Sequence, residues 1–266
     1  QTLCAQGRRD VAFDQHVFVA GLARAGTTVL MRRLFEPGGF RSLTYRDMPF
    51  VLAPNLWGRL ERLGARQMTA VERAHGDGLL VDFDSPEALE EVFWRVVSGD
   101  DYLMADRLVP MAATSDTLAK FRRYVAALLQ AHDDKRYLSK NNNNILRLPV
   151  LSEAFPNASI VVPFRAPAAQ AMSLWQQHRR FCSPEHDSGF TRRYMGWLAH
   201  HEFGPGHRPF VFGGSKPLGD PDEDLEYWME LWIAAYSFIL KQAPDRTLFV
   251  SYDRLCRDTD QVWPRL

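Results

Sequence analysis

The stretch HVFVAGLARAGTTVLMRRLF, residues 16–35, carries the pattern that decides the fold. It begins with an apolar run that ends before Gly21, and from Thr27 onward apolar side chains recur at helical spacing. This pattern predicts a strand, a glycine-rich loop and a helix, in that order. In such a loop the backbone N–H groups and the positive end of the helix dipole can hold a phosphate group.

The glycines of this loop, Gly21 and Gly26, have the spacing of a P-loop, but the basic residue stands in a different place. A nucleoside triphosphatase carries Lys directly after the second glycine, where this chain has Thr27. Here the basic residue is Arg24, inside the loop. The loop therefore predicts an anion site that differs from that of the triphosphatases. A plain glycine turn between strand and helix is the alternative.

Strands and helices alternate along the rest of the chain. Apolar runs predict strands at residues 136–139, 159–164 and 247–252, with Pro163 marking a strand edge or a strand end. Helical spacing predicts helices between them, one of which opens at Ser85 and Pro86. The alternation predicts an α/β protein with a P-loop-like, three-layer fold. Helices flank a central parallel sheet, and ligands bind at the carboxyl ends of its strands.

Length and charge limit the classes of protein that fit. The 266 residues suit a single domain over residues 1–266. The 32 Lys and Arg residues are balanced by 32 Asp and Glu residues, so no net field draws the protein to nucleic acid or an anionic membrane. The longest apolar run is about half of the ~20 residues that a membrane-spanning helix requires. We expect no nucleic-acid partner and no membrane span.

The metal-ligating residue types show no pattern of a metal site. Cys4, Cys182 and Cys256 are odd in number and widely spaced, which argues against a disulfide framework and a zinc site. In the run His200-His201-Glu202 adjacent His side chains diverge, and no third ligand stands at zinc spacing. We expect no metal and a reducing, cytoplasmic location.

The run ARAGTT, residues 23–28, is similar to the basic-small-Gly-Thr-Thr loop of the sulfotransferases. In that family the loop cradles the 5′-phosphosulfate of the donor, 3′-phosphoadenosine 5′-phosphosulfate. The resemblance implies that Arg24 neutralises the 5′-phosphate and the bridging oxygen. It implies that Thr27 and Thr28 donate hydroxyl and backbone hydrogen bonds to the same group, within a loop that Ala25 and Gly26 complete.

A second match lies at the predicted strand 159–164 and the helix that follows it. Arg165 closes the strand and Ser173 stands eight positions later, which resembles the 3′-phosphate motif of the same family. A planar cation and a hydroxyl suit a dianionic phosphate. Lys140 at the end of the preceding strand and the run YDRL, residues 252–255, also resemble family features.

These resemblances imply a sulfotransferase. Such an enzyme moves the sulfuryl group by in-line displacement to a hydroxyl or amine of a small-molecule or carbohydrate acceptor, releases adenosine 3′,5′-bisphosphate and needs no metal. Arg24 is the candidate for charge stabilisation, with Lys140 as a second candidate near the bridging oxygen. The irregular residues 182–221 are then a lid or an acceptor-binding insertion. The sequence leaves the oligomeric state open.

The general base is harder to place. Sulfotransferases take it from the segment after the first helix or from just past the second strand, but here residues 141–144 are asparagines, which cannot take a proton. Asp47 is the first candidate, and its alternative role is to cap the element that begins at Pro49. His75 is the second candidate, and its alternative is a solvated loop histidine.

Two other functions remain open at this point. A P-loop nucleotide kinase or ATPase is supported by LLVD, residues 79–82, an apolar run whose final acid could hold magnesium. The missing Lys after Gly26 counts against it. A non-catalytic nucleotide-binding sensor would keep the phosphate sites without a base.

Overall fold

The computed structural model describes residues 10–53, 71–72, 80–130, 132, 134–183 and 189–263. Within them, one parallel sheet has five strands in the order β2-β5-β1-β6-β7. Its strands are β1 (Val17–Val19), β2 (Phe40–Arg41), β5 (Arg136–Lys140), β6 (Ser159–Phe164) and β7 (Thr247–Ser251). A separate antiparallel pair consists of β3 (Val71–Glu72) and β4 (Leu80–Val81). The predicted parallel sheet is confirmed.

Helices cover both faces of the sheet. They are α1 (Thr27–Phe35), α2 (Glu91–Tyr102), α3 (Ser115–Leu129), α4 (Leu148–Ala154), α5 (Pro167–Cys182), α6 (Gly189–Trp197), α7 (Leu225–Gln242), α8 (Tyr252–Arg257) and α9 (Thr259–Val262). Neighbouring residues of β1 point to opposite faces, so Phe18 joins a large core cluster while Val17 and Val19 join a smaller one under α1. This is the three-layer arrangement that the alternation predicts.

The strand β6 shows how a proline is accommodated next to the loop. It pairs with β1 only over Ser159–Val161, whereas its pairing with β7 continues to Phe164. At Pro163 the chain of β1 has already turned away into the glycine-rich loop, so the missing N–H leaves no ladder bond to β1 unmade. The strand-end prediction is confirmed, although β6 lies inside the sheet.

The helix predicted to open at Ser85 and Pro86 begins later, at Glu91. Pro86 instead forms an isolated antiparallel bridge with Thr44, and the Ser85 hydroxyl bonds to Asp82 at 2.7 Å. The local capping pattern is therefore overridden by a contact made across the chain. The later start leaves Glu87 in an irregular segment, where its side chain reaches the site described below.

The irregular region predicted over residues 182–221 contains one helix, α6, in its described part. The segment between β5 and β6 begins as a 3-10 helix, Asn142–Arg147, and continues as α4.

A fully buried ion pair joins α2 to this 3-10 helix. Arg147 Nη2 lies 2.7 Å from Glu91 Oε2, and both side chains are 0% exposed. Glu91 also accepts hydrogen bonds from the Tyr102 hydroxyl and from Asn141 Nδ2. The guanidinium carbon of Arg147 lies 4.8 Å from the centre of the Trp94 ring. The charges are thus compensated by specific partners, as burial requires.

We predict that Arg147→Met lowers the free energy of unfolding by about 3–5 kcal/mol, because it leaves the Glu91 carboxylate buried without its cation. Urea denaturation measures the effect. The control is Arg33→Met, which breaks an ion pair with Glu36 whose side chains are 51% and 59% exposed and should cost at most about 1 kcal/mol. Equal losses in the two variants would contradict the prediction.

Candidate active site

The glycine-rich loop between β1 and α1 has the backbone of an anion site. Arg24 and Gly26 both adopt positive φ, 67° and 85°, and α1 begins directly afterwards at Thr27. Alternating left-handed residues turn backbone N–H groups toward a common point, and the helix N-terminus adds its dipole. A non-glycine residue at positive φ is uncommon, and such conformations cluster at functional sites.

Tyr252 packs directly against this loop. A Cβ placed on Gly26 would lie 2.1 Å from Cδ2 of the Tyr252 ring, so glycine is required there by space as well as by φ. Tyr252 is the first residue after β7, and α8 begins with it. The end of the last strand therefore supports the loop from the first strand.

A cleft of about 360 Å³ opens beside the loop at the carboxyl ends of the parallel strands. Lys140 ends β5, and Arg165 and Tyr252 directly follow β6 and β7. The cleft is lined by Ala23, Arg24, Gly26, Thr27, Thr28, Val29, Glu87, Lys140, Asn142, Arg165, His200, Glu202, Phe203 and Tyr252. Three cations and two carboxylates thus share one cleft, at the place where parallel α/β sheets bind ligands.

The residues predicted from the two phosphate motifs come together here. Arg24 Nε donates to Ser173 Oγ at 3.0 Å, and Arg165 Nη1 donates to the Arg24 carbonyl at 3.5 Å. Ala25 is fully buried behind the cleft. Arg165 Nε is buried and makes no hydrogen bond to a described residue, and its nearest carboxylate oxygen, Asp253 Oδ1, is 3.7 Å away. A buried donor in this position suits an anion.

Lys140 and Glu87 both line the cleft, and their opposite charges attract each other. Burial opposes the charged form of Glu87, but the Lys140 cation, the Tyr45 hydroxyl at 2.6 Å and the Ala88 N–H at 2.8 Å hold its pKa at about 2. Glu87 is therefore a carboxylate at neutral pH whose oxygens are already engaged.

His200 and Glu202 form a second charged pair in the cleft. His200 Nδ1 lies 3.2 Å from Glu202 Oε1, and the side chains are 11% and 5% exposed. Burial opposes the charge on both groups, yet their mutual attraction outweighs it. The pKa of Glu202 falls well below its usual range, and the pKa of His200 is raised above 6.5. Because an ionised carboxylate only accepts hydrogen bonds, Nδ1 carries the hydrogen.

Asp47, the first candidate base, lies outside the set of cleft residues. Arg41 Nη2 donates to both of its carboxylate oxygens, at 2.8 and 2.9 Å, and the Thr44 N–H donates to Oδ2 at 2.9 Å. Asp47 thus forms a capping box with Thr44 at the start of the 3-10 helix Tyr45–Phe50. The geometry is that of the capping alternative. The second candidate, His75, lies outside the described residues.

Glu87 is not predicted as a site residue from the sequence, and His200 and Glu202 are considered there only as metal ligands. Glu87 resembled an ordinary acid in the first turn of a helix. A sequence signal for this pair does exist. His200 stands two positions before Glu202 in a stretch without a helix or strand pattern, and loops carry catalytic groups more often than regular elements do.

One further cluster of metal-ligating types lies away from the cleft. His178 Nε2 is 3.2 Å from Asp222 Oδ1 and 3.6 Å from Cys182 Sγ. The Gly204 N–H donates to Nδ1 of the same ring at 3.0 Å, so in the neutral ring Nε2 carries the hydrogen. Hydrogen bonding from Nε2 to its two neighbours accounts for this cluster.

The fold and the cleft define a P-loop-like α/β protein in which the loop after β1 and the end of β6 both carry groups suited to anions. The sequence matches the model of the Sulfotransferase family over residues 16–211. The chain belongs to this family. No curated protein matches the chain.

The fold is similar to that of a solved sulfotransferase structure. Sulfotransferase STF9 from Mycobacterium avium has a TM-score of 0.54 and 18% identity, with 95% of this chain and 62% of that chain covered. Sulfotransferase STF1 from Mycobacterium tuberculosis H37Rv has a TM-score of 0.49 and 16% identity, with 96% and 67% covered. The chain therefore spans less than two thirds of the length of the first of these. None of the described helices is long and apolar enough to cross a membrane.

We predict that Gly26→Ala destabilises the protein more than Gly38→Ala does. Both glycines have φ near +80°, so both variants carry a backbone cost of about 1–2 kcal/mol. A Cβ on Gly38 meets no atom within 4 Å, whereas a Cβ on Gly26 collides with Tyr252. Urea denaturation of both variants measures the difference. The excess loss should shrink in a Tyr252→Ala background, and an excess that persists there would reject the steric explanation.

Proposed function

We propose that the protein transfers the sulfuryl group of 3′-phosphoadenosine 5′-phosphosulfate to a hydroxyl or amine of a small-molecule or carbohydrate acceptor. The observation that carries the proposal is the contact between the two phosphate motifs, Arg24 Nε to Ser173 Oγ at 3.0 Å. This contact joins the glycine-rich loop to α5, and Arg165 Nη1 at the end of β6 also donates to the Arg24 carbonyl at 3.5 Å. The two motifs are therefore neighbours, which supports a donor whose two anionic groups span them. Family membership supports the same chemistry.

The residues of the cleft fit both ends of this donor. Backbone N–H groups at the start of α1 and the Thr28 hydroxyl suit the 5′ end, whereas the Thr27 hydroxyl donates to Asn142 Oδ1 at 3.4 Å. The buried Arg165 Nε, which makes no hydrogen bond to any residue that the structure describes, suits the 3′-phosphate, and Ser173 lies next to the cleft through its bond to Arg24. These hydrogen-bond donors would position the nucleotide, and positioning is the main task of the protein in group transfer of this kind.

The reaction is a displacement at sulfur. The acceptor oxygen or nitrogen forms a bond to sulfur, while the bond from sulfur to the bridging oxygen of the donor breaks and adenosine 3′,5′-bisphosphate leaves. Arg24 and Lys140 offset the charge that develops on that bridging oxygen. The acceptor's proton must pass to a base in the cleft.

His200 is the group best placed to take that proton. Glu202 holds Nδ1–H, so the neutral ring presents the lone pair of Nε2, which makes no hydrogen bond to a described residue, and the ring lines the cleft. Glu87 is a weaker candidate because Tyr45 and Ala88 occupy its oxygens and its pKa is about 2. We therefore assign the base to His200 and propose that Glu87 orients Lys140.

The nucleotide kinase or ATPase alternative finds less support. Asp82 would have to hold magnesium near the phosphates, yet it is not among the cleft residues. Its Oδ1 instead accepts hydrogen bonds from the Ser85 hydroxyl at 2.7 Å and from the Asp84 N–H at 3.1 Å.

Donor binding tests the proposal directly. We predict that adenosine 3′,5′-bisphosphate raises the melting temperature without magnesium, and that Arg165→Met removes most of this shift. Arg254→Met, outside the cleft, is the control. A shift that requires magnesium and is larger for ATP would favour the kinase. Transfer of labelled sulfate to phenol, sugar and amine acceptors then separates an enzyme from a nucleotide-binding sensor.

We predict that His200→Gln lowers kcat about 10²- to 10⁴-fold while binding of adenosine 3′,5′-bisphosphate is retained, because the variant loses only its proton acceptor. The matched control is His201→Gln. His201 is the adjacent histidine, but it bonds to the Gly206 carbonyl and does not line the cleft. If His200→Gln stays active while Asp47→Asn or Glu87→Gln does not, the base is another residue.

The pH dependence of the same reaction provides a second test of His200 as the base. A base must be neutral to act, and the folded pKa of His200 is raised, so kcat/KM should rise with pH around a midpoint above 6.5. Glu202→Gln removes the charge that raises this pKa and should move the midpoint to lower pH. A midpoint that moves upward would contradict the assignment.

A further inference from the structure

Asn142 is a cleft residue that touches both the phosphate loop and the His200–Glu202 pair. It stands two positions after Lys140, opens the 3-10 helix and is 5% exposed. Its Nδ2 donates to Glu202 Oε1 at 2.5 Å, and its Oδ1 accepts from Thr27 Oγ1 at 3.4 Å. The NH₂ end of the Asn142 amide therefore contacts the His200–Glu202 pair, and its carbonyl end contacts Thr27 of the glycine-rich loop.

The chemistry of Glu202 fixes which way this amide faces. An ionised carboxylate can only accept, so the NH₂ group of Asn142 must point to it and the carbonyl oxygen must point to Thr27. The orientation then agrees with the Thr27 hydroxyl as a donor.

One oxygen of Glu202 serves two donors. Oε1 accepts from Asn142 Nδ2 at 2.5 Å and from His200 Nδ1 at 3.2 Å. Two donors on one oxygen share its charge and restrict the rotation of the carboxylate. Asn142 makes the shorter of the two bonds, so it is the partner that sets the orientation of Glu202.

We infer that Asn142 is a positioning residue. Its NH₂ group orients Glu202 so that His200 presents Nε2 to the acceptor, and its carbonyl oxygen connects this pair to the glycine-rich loop through Thr27. Its catalytic consequence rests on the proposed function. Asn142 acts through Glu202 and His200 and is not itself a proton acceptor.

The charged groups around His200 show why removal of the amide should be visible. His200 faces Glu202 on its own segment, Lys140 at the end of β5 and Glu87 before α2, with Arg24 and Arg165 in the same cleft. Of these, Glu202 bonds to Asn142. Without the amide, His200 Nδ1 is the remaining side-chain donor to Glu202 Oε1 among the described residues. The carboxylate charge then acts more strongly on His200, which favours the imidazolium and raises the pKa of His200.

The test compares Asn142→Ala with the wild-type protein across pH. We expect kcat at pH 7 to fall about 10- to 100-fold, with the KM for the donor little changed, because orientation and not donor binding is lost. We also expect the midpoint of kcat/KM to move to higher pH, and further in Asn142→Asp, which adds a negative charge beside Glu202. A loss of kcat that is equal at all pH values, or a rise in donor KM alone, would overturn the inference.

The matched control is Asn144→Ala in the same 3-10 helix. Asn144 is fully buried and its Nδ2 donates to the Val19 carbonyl at 3.3 Å, but it does not line the cleft. This variant should lose stability without moving the pH midpoint. A midpoint shift of equal size in both variants would show a general effect of weakening the helix and would overturn the inference.

A readout independent of activity separates this inference from the proposed function. NMR titration of the His200 imidazole, assigned by its loss in His200→Gln, measures the pKa directly. If the wild-type protein transfers no sulfate, the proposed function fails, and an upward shift in Asn142→Ala still supports the positioning role. An unchanged His200 pKa overturns that role whether or not transfer occurs.

Discussion

The buried ion pair between Glu91 and Arg147 is the constraint on which the geometry of the cleft depends. Burying two charges seldom adds stability by itself, and here each charge is compensated by further partners. Arg147 Nε bonds to the Asn143 carbonyl, and Asn141, held by Glu91, accepts the Asn143 N–H at 2.9 Å. The pair and these bonds therefore restrain the turn after Lys140. That turn sends Asn142 into the cleft and toward Glu202.

A second constraint is the parallel direction of the strands. Because β1, β5, β6 and β7 all run the same way, the residues at their carboxyl ends meet at one edge of the sheet. Arg24, Lys140 and Arg165 are far apart in sequence, yet they share one cleft for this reason. The negative groups come from irregular segments that fold over this edge. The strand ends and the loop after β1 thus supply the cations, and the irregular segments supply the carboxylates.

The sequence was sufficient for those parts of the molecule that depend on local patterns. Apolar runs, glycine and proline encode these parts at short range. They are the first strand and its loop, the strand that ends directly before Arg165, and the start of α5 at Pro167. Long-range contacts decided the rest. The helix signal at Ser85 and Pro86 lost to the bridge between Pro86 and Thr44. Asp47 is a different case, because its capping box with Thr44, three residues before it, is a local contact that the sequence analysis kept as the alternative to a base. The pair of His200 and Glu202 is oriented by Asn142, 60 residues from Glu202, and no local pattern reports such a contact.

The packing of Tyr252 on Gly26 joins a late part of the chain to an early one, and this matters while the protein is being synthesised. During synthesis the glycine-rich loop emerges early, but the ring that supports it follows β7, an edge strand and the last strand of the sheet along the described chain. A nascent chain that already contains every residue of the family match, 16–211, still lacks this support. The glycine-rich loop is thus supported from the last sheet strand along the described chain, and a chain truncated before residue 252 would keep the loop without the ring that packs on it.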